Sequence, residues 1–172
     1  MIFVFETLYD IDALTVMARA VRKTTHKKHS SRSRKFAWIV IVIAILFVAA
    51  TVIMDDVGAN TVFTAAAAVV MFVALVWEDR LNALIASKRM MKGSEKGVVT
   101  FYEDNYISAT DVGTTEFRYD VIEAVAKKGD YVVFVFSRRH AQVYDMRTIR
   151  NGTAKEFCEF IENKTGLEIV KI

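Results

Sequence analysis

Residues 36–54 read FAWIVIVIAILFVAATVIM and residues 59–77 read ANTVFTAAAAVVMFVALVW, two stretches without a single charged side chain. As a helix, each extends roughly 28 Å, close to the hydrocarbon thickness of a bilayer. The competing assignment is a pair of core helices in a soluble protein. A chain of 172 residues rarely hides two uncharged helices of that length. A cleaved leader ending near Val48-Ala49-Ala50 is also disfavoured. The sequence before the first stretch has a structural pattern of its own, and the apolar run continues past that point.

The connection Asp55-Asp56-Val57-Gly58 is too short for anything but an antiparallel hairpin. It carries two acids and no base. Eight Lys and Arg residues crowd between Arg19 and Lys35, the next base is Arg80, and Lys88, Arg89 and Lys92 follow. Basic flanks stay inside, so the hairpin is expected to leave both termini in the cytoplasm. Trp38 and Trp77 then share the cytoplasmic interface, where indole rings favour the headgroup layer. Thr61 with Ala65, and Thr64 with Ala68, place small residues at helical spacing. That suits close packing within the hairpin, with dimerisation as the minority reading. No ionisable residue lies in either stretch, which opposes a proton or ion path.

Outside the hairpin the chain is polar. Its net charge is only +3, but the sign is unevenly distributed. The lone Cys158 excludes an intrachain disulfide and fits a reducing compartment. Residues 1–6 are strand-like. Ile11, Leu14, Met17, Ala18 and Val21 recur at helical spacing after a cap at Thr7 or Asp10. The residues expected to meet anionic headgroups are Arg22, Lys23, Lys27, Lys28, Arg32, Arg34, Lys35, Trp38, Trp77 and Arg80. The basic run abuts the bilayer and lacks interleaved aromatics, so nucleic acid is not an expected partner. Lys27 and Lys28, between His26 and His29, would repel a cation, and no carboxylate or cysteine is close in sequence, so no metal is expected there.

Leu81–Met91 reads as an interfacial helix ended by Gly93 and Gly97. From Val98 onward the apolar period changes to two. Strands are expected over 98–102, 106–109, 116–119 leading on to 121–126, 131–136 and 141–144. Short polar turns separate them, so the sheet should be mainly antiparallel. Thr153-Ala-Lys-Glu156 is a capping box opening a final helix that buries Phe157 and Phe160 and stops at Gly166. Residues 167–172 form a terminal extension or strand. The expected divisions are thus 1–35, 36–80, 81–97 and 98–172.

No glycine-rich phosphate loop, nucleophile elbow or metal-spaced His/Cys set is present, so no catalytic, cofactor or metal residue is expected. Arg138 and Arg139 make a candidate interaction patch, although solvated turn charges are the plainer reading. Lys127 and Lys128 sit at the other end of the intervening strand and should not join them.

The stretches FVFETLYDIDAL, VVTFYEDNYISAT, TTEFRYDVIEAVAKKGDYVVFVF and AKEFCEFIENK, in this order around a two-span hairpin, resemble the YcxB-like family of bacterial membrane proteins. The resemblance implies an α+β membrane protein in the bacterial cell membrane. It further implies a small cytoplasmic antiparallel sheet forming a barrel like that of pleckstrin-homology domains, closed by the C-terminal helix. Residues 1–6 would be candidates to join that sheet. Phosphoinositide recognition in the usual manner would need a basic first hairpin loop, whereas Glu103-Asp104-Asn105 is acidic. The expected role is a non-catalytic, membrane-anchored interaction module with a protein partner or self-association. An oligomeric channel or transporter subunit and a lipid-headgroup-sensing regulator are the alternatives.

Overall fold

The computed structural model describes residues 2–25 and 27–172, without the side chains of residues 27–30. The expectations for His26, and for the side chains of Lys27, Lys28 and His29, lie outside the described residues. The fold begins with β1 (Phe3–Leu8) and α1 (Ile11–Thr24). Asp10 caps α1, its Oδ1 accepting from the Ala13 amide at 2.8 Å. The helix α2 (Lys27–Ile53) and the antiparallel α3 (Ala59–Val76) make the hairpin, and α4 (Glu78–Arg89) follows after a one-residue break at Trp77. It starts three residues before the expected helix. Glu78 and Asp79 suit the positive end of its dipole.

Both hairpin helices are long and apolar enough to cross a membrane, and only 6% of each span is buried. That figure separates them from the core helices of a soluble protein, which are mostly buried. Phe47, Ile53, Phe63 and Val70 all face outward. Contact between the two helices is confined to a narrow seam where Ile41 and Thr61 are buried, Ala65 and Ala68 are half-buried, and Trp38 meets Phe72 edge-on at 5.9 Å. The Thr64 hydroxyl donates to the Asn60 carbonyl at 2.8 Å, which satisfies it within its own helix.

The remaining strands are β2 (Lys96–Phe101), β3 (Asn105–Thr110), β4 (Gly113–Arg118), β5 (Ala124–Lys128), β6 (Tyr131–Ser137), β7 (His140–Asp145) and β8 (Ile169–Lys171), with α5 (Ala154–Thr165) before the last. They form two four-stranded sheets, ordered β1-β2-β3-β4 and β7-β6-β5-β8. Every pairing is antiparallel except β5 with β8.

The expected closed barrel does not form, and the reason is local. After β4 the chain turns through a 3₁₀ segment, Tyr119–Val121, whose buried Tyr119 hydroxyl donates to the Tyr102 carbonyl at 2.7 Å. This turn carries β5 into the second sheet, and β4 and β5 do not pair. At the opposite corner Val4 of β1 is bridged to Arg150, in the segment between β7 and α5, and the Asp145 amide of β7 donates to Thr7 Oγ1 at 3.3 Å. No full ladder closes that corner either.

Residues 3–8 pair with 96–101, from Phe3 opposite Phe101 to Leu8 opposite Lys96. The polar pieces before and after the hairpin are therefore one folded body. Its core is aromatic: Phe3, Phe5, Phe101, Tyr106, Phe134, Tyr144 and Phe157 are fully buried. Phe157 of α5 lies 4.6 Å from Phe5 and 4.9 Å from Phe101 between ring centroids. Such tilted and edge-on aromatic pairs add about 0.5–1.5 kcal/mol each beyond area burial. The capping box forms as the sequence indicates, with Thr153 and Glu156 bonded reciprocally, and Gly166 ends α5 in the left-handed conformation. Gly152 has φ +120°, and a Cβ there would sit 2.6 Å from the Phe3 ring. The apolar face of α1 (Ala13, Val16, Ala20) covers the other side of the second sheet at Val133, Val135 and Val143.

Candidate functional site

The chemistry-bearing side chains gather where the hairpin joins the two-sheet domain. α1 runs toward the hairpin and α4 runs away from it, so the end of one lies beside the start of the other. Asp79 at that crossing is only 6% exposed. Arg22 binds it in a two-toothed grip, Nε to Oδ1 and Nη2 to Oδ2, both at 2.7 Å. Arg19 Nε adds a third bond to Oδ2 at 3.0 Å. Burial pushes the Asp79 carboxyl up, but the hydrogen bonds from Arg22 and Arg19 outweigh it and hold the group below its ordinary range. One residue earlier, Glu78 accepts from Arg34 Nη1 at 2.8 Å, and that nitrogen also donates to the Leu75 carbonyl at 3.3 Å. Arg34 belongs to α2 and Leu75 to α3. These ion pairs therefore tie both hairpin helices and α1 to the start of α4.

Beside the clamp lies an open groove of about 540 Å³. Its walls come from α1, the base of α2, the end of α3, α4 and the turn between β6 and β7. Four arginines line it (Arg22, Arg34, Arg138 and Arg139), with Glu78 as the one carboxylate. The strand register slips between Val135 and Ser137, and such an irregularity bends and twists the strand just before its turn. Arg138 and Arg139 are exposed there, and among the described residues neither makes an ion pair. Lys128 is at the other end of β6. Its ammonium is pushed down by burial and then by Arg19 and Lys23, with Asp79 opposing.

The residues read as a headgroup-facing set thus divide. Arg22 and Arg34 are held by acids of this chain, which the linear reading did not reveal. Lys23, Arg32, Lys35 and Arg80 are exposed, as are Trp38 and Trp77 at the same end of the hairpin. Arg138 and Arg139, read as a separate patch, line one groove with Arg22 and Arg34. Asp79 and Arg19 were missed as partners. The signal available was an acid placed immediately after an uncharged span, opposite a run of bases.

A second feature is β4. It lies at the edge of its sheet, and Gly113, Thr114, Thr115, Glu116 and Arg118 are exposed. The only described cysteine, Cys158, is half-buried, and burial pushes its thiol up. Among the described residues no three His, Cys, Asp or Glu side chains gather as metal ligands would. Comparison with protein-family models, with curated proteins and with solved structures finds no match to this chain.

Proposed function

We propose that this chain is an integral membrane protein of the YcxB-like kind. In this reading it holds a non-catalytic interaction domain at the cytoplasmic face of a bacterial cell membrane. One observation carries it. The two uncharged helices expose their apolar side chains almost everywhere, yet their bases are clamped to the two-sheet domain by Arg34, Glu78, Asp79 and Arg22. Water would penalise so large an apolar surface, whereas a bilayer would solvate it. The excess of Lys and Arg at the base of the hairpin, against Asp55 and Asp56 at its tip, supports cytoplasmic termini.

The surface best suited to a protein partner is the open edge of β4, because an exposed edge strand offers unpaired backbone groups to a further strand. A photo-crosslinking residue in place of Thr115 tests this in living cells, with the same residue at Lys155 as control. Adducts of defined mass from position 115 and not 155 are expected. An adduct of twice the chain's mass would mean that the partner is a second copy. Equal or absent labelling at both positions would remove β4 as the docking edge.

A further inference from the structure

We propose that the groove at the hairpin's base is a binding site for one anionic phospholipid, with Arg138 and Arg139 as its principal phosphate ligands. The inference rests on the membrane reading above. Its basis is the pairing of charges. Asp79 is taken by Arg19 and Arg22, and Glu78 by Arg34. Arg138 and Arg139 have no acid to satisfy them among the described residues, although they line the same groove and are brought to it by a separate turn. Glu123 lines a second recess with them, Ser137 and Thr25, yet among the described residues it forms no ion pair with either. Guanidinium groups suit phosphate because their forked donors match its oxygens.

The walls argue for a lipid over a soluble anion. Ser33 and Asn82 add polar groups beside the arginines, whereas Leu75, Val21 and Met17 provide an apolar side. Leu75 lies within α3, so that apolar wall runs on into the outward-facing surface of the hairpin. A phosphate at Arg138 and Arg139 would thus leave its acyl chains directed along α3, at the depth marked by Trp38 and Trp77. The acidic turn Glu103-Asp104-Asn105 takes no part in this site.

The test uses the full chain, purified in a zwitterionic detergent and titrated with phosphatidylglycerol or phosphatidylcholine under native mass spectrometry. Phosphatidylglycerol should be retained at about thirtyfold lower concentration, as expected for two arginines near a phosphate. The Arg138→Gln/Arg139→Gln variant should lose that preference, and Arg118→Gln/Lys155→Gln, altered elsewhere on the domain, should keep it. Equal retention of the two lipids by the native chain would overturn the site, as would an unchanged preference in the first variant. Displacement of phosphatidylglycerol by millimolar inorganic phosphate would show that the groove reads phosphate alone, which overturns its assignment to a lipid. A chain that stays soluble and monodisperse without detergent would instead overturn the membrane reading, and this site with it.

Discussion

Asp79 shows how one carboxylate can join parts of a chain that are remote in sequence. Its partners Arg19 and Arg22 lie 60 and 57 positions away, on the far side of the hairpin. Each of the three residues is visible in the sequence as a charge, but their meeting depends on the antiparallel return of α3 and on α1 lying across the second sheet. Periodicity gives no information on that. Replacing Asp79 by Asn leaves two guanidinium groups facing a neutral amide. Loss of one partner from a fully buried pair costs about 3–5 kcal/mol. Arg19 and Arg22 keep partial exposure, so about 2 kcal/mol is expected, read as a lowered thermal midpoint in detergent. The pH dependence has a definite sign. A carboxyl held below its ordinary value of 3.8 contributes stability above that value, and the contribution is lost as pH falls through the lower folded value. The native chain should therefore lose stability on acidification below about pH 4, and Asp79→Asn should lose less over the same interval. Parallel melting curves for the two proteins across pH 3 to 7 check this; equal slopes would contradict it.

At the scale of elements, local rules were readable and the joining of sheets was not. Alternation placed the strands near 98–102, 106–109, 131–136 and 141–144, within one or two residues of where they form. The capping box and Gly166 set the ends of α5. The run through residues 116–126 was misleading because apolar residues continue across it. Within it, Tyr119–Val121 turns as a 3₁₀ segment, and the single sheet becomes two. The burial of Tyr119 and the bonds from its hydroxyl to the Tyr102 and Asn105 carbonyls hold that turn, and these are tertiary. The two features of α5 should separate energetically. Thr153→Ala removes one side of a capping box and should cost about 1 kcal/mol. Phe157→Ala empties the centre of the aromatic core and should cost about 3–5 kcal/mol. Urea unfolding of both variants checks the order. A Phe157→Ala cost no larger than that of Thr153→Ala would mean that α5 is not packed on the sheets as described.

For the molecule as a whole, the hairpin is an insertion within one folded body. β1 pairs with β2 across the entire length of the hairpin, and the arginine clamp holds the bases of α2 and α3 to the same body. The hairpin was the most legible part of the sequence, since length and absence of charge are enough to mark it. The groove at its base was the least legible, because five elements contribute to it and its arginines are split between a juxtamembrane run and a distant turn. In the proposed reading, a bilayer around α2 and α3 with the two-sheet domain on its cytoplasmic side would account for the exposed apolar surface and for the placement of basic residues. The most direct measurement is cysteine accessibility in intact cells, in a Cys158→Ser background. One probe replaces Gly58 at the hairpin tip, where a side chain meets nothing within 4 Å. The other replaces Lys155, which is well exposed on α5. Labelling at 58 but not at 155 by a membrane-impermeant maleimide is the expected result. Labelling at 155 but not at 58 would invert the topology, and labelling at neither before lysis would place the whole chain inside the cell, away from any bilayer crossing.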